Sequence, residues 1–161
     1  MNTAKSIFVA LLSLFVFGCG EVEQQQMVKQ AQAIESADEC HLCGMVIKNY
    51  PGPKGQAFQK GEDNTVRFCS TRDLLSYILQ PENQRQIEQI FVHDMSKTPW
   101  QKPEDEYFID GKEAWYVIGS SQKGAMGKTL ATFSKESDAH AFSQEFGGKV
   151  YQFGDITIDI L

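Results

Sequence analysis

Two stretches far apart in this chain follow one plan, and that repetition limits the possible folds more than any other feature. Phe68-Cys69-Ser70-Thr71-Arg72-Asp73 and Phe133-Ser134-Lys135-Glu136-Ser137-Asp138 each end a β-rich run in Phe and then open a helix. Ser70 is suited to cap the first helix, with Asp73 in its first turn, and Leu74, Leu75, Ile78 and Leu79 supply an apolar stripe before Pro81. Ser134 is expected to cap the second, where Ala139, Phe142 and Phe146 recur at helical spacing and Gly147-Gly148 ends the run.

Around each helix the same order of pieces recurs: strand, Gly-rich loop, strand, helix, strand. The first set is expected at about 44–48, 51–55, 65–68, the helix and 90–93, and the second at 114–118, 124–127, 130–133, the helix and 149–153. The fold class is therefore α+β, a tandem pair of ββαβ units over residues 39–95 and 111–161. Residues 96–110 form the linker, with Pro99, Pro103 and the acidic side chains Glu104, Asp105, Glu106 and Asp110. Such a repeat sets the loops 51–55 and 124–127 in corresponding positions. Met126, between Gly124 and Gly127, has few neighbours to bury it there.

Chemistry concentrates in Cys40-His41-Leu42-Cys43-Gly44-Met45, where three sulfur atoms fall within six residues. Three readings compete. In the first, Cys43 and Met45 bind Cu(I), because thiolate and thioether together favour monovalent copper and residues two apart in a strand face the same side. Cys40 and Met126 are the next candidates. In the second, Cys40, Cys43 and Cys69 hold zinc with His41 or His93 as fourth ligand, although no second C-x-x-C pair is present. In the third, Cys40 and Cys43 form a redox disulfide, although Gly44-Met45-Val46-Ile47 continues as β rather than opening a helix.

Other residues read as structural. His93 is expected to be solvated or hydrogen-bonded, His140 exposed, and Trp100, Trp115 and Tyr116 packed. Asp94 and Asp110 are loop carboxylates without a catalytic partner. No Ser-His-Asp order, phosphate loop or paired carboxylates stand out, so an enzyme is not expected.

Residues 1–18 read as an export signal, with Lys5 as basic n-region and an apolar run from Ile7 to Phe17. Val16-Phe17-Gly18-Cys19 resembles the bacterial lipoprotein signal, in which the cysteine is acylated and becomes the new N-terminus. The alternative is an ordinary cleaved signal. Gly20 in place of Asp favours the outer membrane over inner-membrane retention. Residues 19–38, rich in Glu, Gln and Ala, then read as lipidated N-terminus and flexible tether. The formal net charge is −6, one unit more acidic without Lys5, which disfavours nucleic acid and anionic lipid as partners.

Taken in order, Cys40-x-x-Cys43-Gly44-Met45-x-Ile47, Gly52-Pro53-Lys54-Gly55-Gln56, Phe68-Cys69-Ser70 with Asp73-Leu74, Trp115-Tyr116-Val117-x-Gly119-Ser120, Gly124-Ala125-Met126-Gly127 and Phe142-x4-Gly147-Gly148 resemble the NosL family, accessory lipoproteins of nitrous oxide reductase biogenesis. The resemblance runs from about Glu39 to Phe153. It implies a periplasmic, membrane-anchored Cu(I) chaperone supplying the copper-sulfur cluster of nitrous oxide reductase. It also implies a fold similar to organomercurial lyase relatives, and docking to a membrane ABC-type assembly. Matched residue by residue, it implies Cys43, Met45 and Met126 as ligands, with Cys40 next.

Overall fold

A computed structural model of the chain describes residues 29–161. The expected export signal, Cys19 and the first part of the tether lie outside the described residues. Strands β1 (Gly55–Gln59) and β2 (Thr65–Phe68) are followed by helices α1 (Thr71–Ile78) and α2 (Pro81–Gln84), then β3 (Ile87–His93) and β4 (Phe108–Asp110). These four strands form an antiparallel sheet in the order β2-β1-β3-β4. The chain continues through β5 (Trp115–Ile118), β6 (Lys123–Gly124), β7 (Gly127–Lys128), β8 (Ala131–Phe133), α3 (Glu136–Phe146) and β9 (Lys149–Gln152). A second antiparallel sheet has the order β8-β5-β9, and β6 and β7 pair as a separate hairpin. The result is a mixed fold of antiparallel sheets with few helices. Among the described residues no helix is long and apolar enough to cross a membrane.

Local patterning accounts for most of these elements. The Ser70 hydroxyl accepts from the Asp73 N–H at 3.0 Å, so α1 starts where its cap predicts. Leu74, Leu75 and Ile78 are buried against Ala57, Phe68, Ile90 and Val92 of the sheet, with Tyr116 and Leu130 of the second half in the same core. Around α3, Ala139 is buried beside Val117, Ala131 and Phe133, while half-buried Phe142 stacks on Trp100. The helix stops at Gly147, whose φ of +76° leaves the helical region.

Four expectations need correction. The strand expected at 44–48 is absent: Glu39 and Val46 form a lone bridge, and Ile47–Asn49 is a single 3-10 turn. The backbone there bonds within its own turn, and Gly44 sits at φ +71°, which no extended strand adopts. Consequently β1 follows the loop 51–55, whereas 124–127 follows β5, and the two loops are not equivalent in the chain order. They nonetheless meet, since a Cβ on Gly52 would lie 3.4 Å from the Gly124 Cα.

The second helix is not capped by Ser134. Its hydroxyl donates instead to Asp94 Oδ2, a buried carboxylate that also accepts from the Ser96 N–H and hydroxyl. Glu136 and Asp138 in the first turn of α3 compensate its dipole. Finally, residues 29–38 are not a free tether. Gln32 donates its N–H to Gln56 Oε1 at 2.9 Å and accepts from Gln56 Nε2, while Ile34 is buried and donates its N–H to Asp105 Oδ2 at 3.0 Å. A polar strap needs no apolar stripe when a buried glutamine of the sheet satisfies its backbone.

Buried hydrogen bonds join the two halves. Thr132 Oγ1 donates to the His93 carbonyl at 2.6 Å, the Met95 N–H to the Thr132 carbonyl at 2.8 Å, and Thr71 Oγ1 to the Leu130 carbonyl at 2.5 Å. Helix α1 lies directly on β1, because a Cβ at Gly55 would come within 2.6 Å of Leu74 Cδ2 and 2.8 Å of its Cβ. Gly55→Ala should therefore cost about 1–3 kcal/mol by overpacking. Thermal unfolding should show a melting temperature several degrees below that of the parent, and an unchanged value would mean that α1 can shift freely on the sheet.

Candidate metal centre

Two rigid pieces of backbone meet at the sulfur cluster. The first is the turn from Cys40 to Gly44, closed by the Gly44 N–H to the Cys40 carbonyl at 2.8 Å and the Cys40 N–H to the Met45 carbonyl at 2.9 Å. Its His41 N–H donates to the Arg67 carbonyl at 2.8 Å, which fastens the turn to β2. The second is the junction of β2 with α1, where Cys69 leaves the strand, Ser70 caps the helix and Asp73 falls in its first turn. Cys69 and Asp73 stand on either side of the Ser70 cap, which brings their side chains into contact.

The ligand atoms of Cys40, Cys43, Cys69 and Asp73 all lie within 4.8 Å of one another. Cys43 Sγ is 3.4 Å from Cys69 Sγ. The Cys69 thiol donates to Asp73 Oδ2 at 3.1 Å, and Cys40 Sγ is 3.7 Å from the same oxygen. All three cysteines are free; Cys40 and Cys69 are buried, and half-buried Cys43 is the sulfur nearest to solvent. Three soft donors and one carboxylate suit a thiophilic ion, with Cys43 at the entrance.

The thiols do not ionise alike. Side-chain hydrogen bonding with Cys69, whose proton is shared between Cys40 and Asp73, outweighs burial and holds the Cys40 pKa down at about 5, so Cys40 is the thiolate at neutral pH. That same bond, then burial, then the Asp73 carboxyl push Cys69 far up, and burial raises Cys43. Beneath the cluster the buried Lys54 ammonium donates to the carbonyls of Tyr50 at 2.7 Å, Pro51 at 3.1 Å and Cys69 at 3.2 Å. Burial lowers its pKa to about 8, against the raising effect of Cys69 and Cys40. Its positive charge offsets part of the cost of burying a thiolate.

The residues singled out by sequence are distributed unevenly. Cys40 and Cys43 come together in the cluster. Met45 is half-buried in the turn, and with Gly44 at φ +71° it does not alternate with Cys43 along a strand. Met126 stands at the tip of the β6–β7 hairpin and is 55% exposed. That hairpin leads into Thr129, whose Oγ1 lies 3.2 Å from Thr71 Oγ1, two residues along the chain from Cys69. Cys19 lies outside the described residues.

Cys69, which spacing connects only with zinc, and Asp73, which reads only as a helix-start acid, both belong to the cluster. Their spacing across a helix cap is the signal that could have found them. Lys54 carries no signal of its own. Of the two settings expected for His93, it takes the hydrogen-bonded one: fully buried, it accepts the Lys54 N–H on Nδ1 at 3.0 Å and stacks on Phe108. His140 is exposed beside Glu136.

Comparison with known proteins follows the same lines. The NosL family model matches residues 31–161. The copper-binding lipoprotein NosL of Stutzerimonas stutzeri is 44% identical over 153 residues, covering 95% of this chain and 80% of the relative. Its counterpart from Achromobacter cycloclastes is 34% identical over 154 residues, covering 94% and 79%. The crystal structure of the copper chaperone NosL from Shewanella denitrificans superposes with a TM-score of 0.79 at 54% identity, over 80% of this chain and 96% of that one. The solution structure of apo-NosL from Achromobacter cycloclastes gives 0.51 at 34% identity, over 66% and 86%. With its thiol cluster at the turn and helix junction just described, this chain belongs to the NosL family.

Proposed function

We propose that this chain is a copper carrier that takes Cu(I) at the Cys40, Cys43, Cys69 and Asp73 cluster and passes it to an acceptor. The observation that carries the reading is three free thiols and a carboxylate gathered within 4.8 Å, in a chain whose relatives are named as copper-binding lipoproteins and a copper chaperone. Those names describe carriers rather than enzymes, and this chain is read as non-enzymatic. Copper is its cargo. The recipient is nitrous oxide reductase, at its copper-sulfur cluster, reached through a membrane ABC-type assembly. Acylation at Cys19 anchors the chain at the periplasmic face of the outer membrane. The matching strand orders β2-β1-β3 and β8-β5-β9 support a tandem ββαβ architecture of the organomercurial lyase-like kind.

Binding and release both follow from the arrangement. Cys40 offers a ready thiolate, Cys43 closes on the ion from the solvent side, and the thioethers of Met45 and Met126 complete or exchange with the thiolates. An acceptor donor meets Cys43 first, so ligands exchange one at a time and the ion is never free. Cys43→Ser and Cys40→Ser should each weaken Cu(I) binding by about a hundredfold or more, and Met126→Leu by about tenfold. Anoxic competition against a Cu(I) chelator measures this. Undiminished affinity in a chain lacking both Cys40 and Cys43 sinks the proposal.

The same measurement carries a pH signature. Near neutrality Cys40 is already ionised, while burial keeps Cys43 protonated, so uptake by this pair displaces one proton. Affinity should rise by about tenfold per pH unit from roughly pH 6 to 8 where Cys69 keeps its proton, and by about a hundredfold per unit where Cys69 also binds as a thiolate. As pH falls through about 5, Cys40 takes up its proton as well and the slope should steepen. A flat profile would remove Cys43 from the ligand set. Zinc is the second reading, since three thiolates and a carboxylate also fit a tetrahedral ion. Zinc that copurifies and withstands a chelator favours that alternative.

A further inference from the structure

We infer that Cys43 and Cys69 are a redox pair that closes into an intramolecular disulfide, leaving Cys40 free and shutting the metal centre. Sequence spacing points to the neighbouring pair Cys40 and Cys43, but the contact across the fold is the one poised to react. Cys43 Sγ already lies 3.4 Å from Cys69 Sγ, against a bond length of about 2.05 Å. Cys69 is fixed at the β2–α1 junction, whereas Cys43 sits in a half-buried turn next to Gly44 at φ +71°, so the approach is made by Cys43.

Access sets the order of events. Cys40 is 3% exposed and Cys69 0%, so an incoming disulfide RS–SR reaches Cys43. The Cys43 sulfur attacks it, forming a Cys43–SR mixed disulfide and releasing RSH. Cys69 then displaces the second RS group from Cys43. Its proton passes through Asp73 Oδ2, 3.1 Å from the Cys69 sulfur, to the departing thiolate. Two protein thiols are oxidised and one external disulfide is reduced to two thiols.

Formation of the bond does not depend on copper; only its consequence, the loss of two of the three thiol donors, rests on the function proposed above. An exported location would supply the oxidising disulfides.

The full chain, reduced and metal-free, is incubated with oxidised glutathione, its remaining thiols are alkylated in denaturant, and its peptides are mapped without reduction. The expected product links the Cys43 and Cys69 peptides, with Cys40 alkylated, and the Cys40→Ser chain forms the same link. Cu(I) affinity of the oxidised chain should fall more than about tenfold and return with dithiothreitol. A predominant Cys40–Cys43 or Cys40–Cys69 link, or all three thiols remaining free, overturns the pairing. Equal affinity of oxidised and reduced chains overturns the shutting of the centre. If the reduced chain fails to hold copper while the Cys43–Cys69 link still forms, the carrier reading fails and the redox pair stands.

Discussion

The junction between β2 and α1 is the constraint on which the rest of the molecule depends. Leu74 lies so close over Gly55 that no side chain fits between helix and strand, and Ser70 ties the first helical N–H groups. From below, the Lys54 ammonium grips the Cys69 carbonyl. Cys69 and Asp73 therefore have little freedom, and the Cys40 turn is brought to them by backbone bonding to Arg67. Arg67 in turn lies 3.3 Å from the Asp38 carboxylate, just ahead of that turn. A site built this way is organised before any ion arrives, which lowers the ordering cost of binding.

The two halves have similar strand orders but different duties. Where the first half has Cys69 after its second strand, the other has Ser134, whose hydroxyl is given to Asp94 across the joint between the halves. One half thus carries the thiols, while the other buttresses it and extends the exposed β6–β7 hairpin with Met126. The division separates two buried cysteines and a half-buried Cys43 in one half from an exposed thioether on the hairpin of the other.

Electrostatics divide the thiols along the same line. Hydrogen bonding with Cys69 favours the ionised Cys40, while that contact, burial and the Asp73 carboxylate keep Cys69 protonated. The unliganded cluster therefore carries one thiolate rather than three, which limits the repulsion and desolvation that three buried anions would impose. The Lys54 charge is held on backbone carbonyls, that of Cys69 among them.

Local pattern alone determined much of this protein. The cap at Ser70, the stripe Leu74-Leu75-Ile78, the helix ending at Gly147 and the β-rich runs of β2, β5, β8 and β9 are legible because neighbours in sequence set them. The closeness of Cys40 and Cys43 follows equally from three residues of spacing. Tertiary structure decided the remainder. The first strand lies after the Pro51–Gly55 loop because the Cys40–Met45 segment bonds to itself. The polar strap at 29–38 holds because a buried Gln56 answers it. Cys69 joins Cys43 across 26 residues of chain. No periodicity encodes such long-range pairings, since they exist only once the strands and helices that carry them have packed.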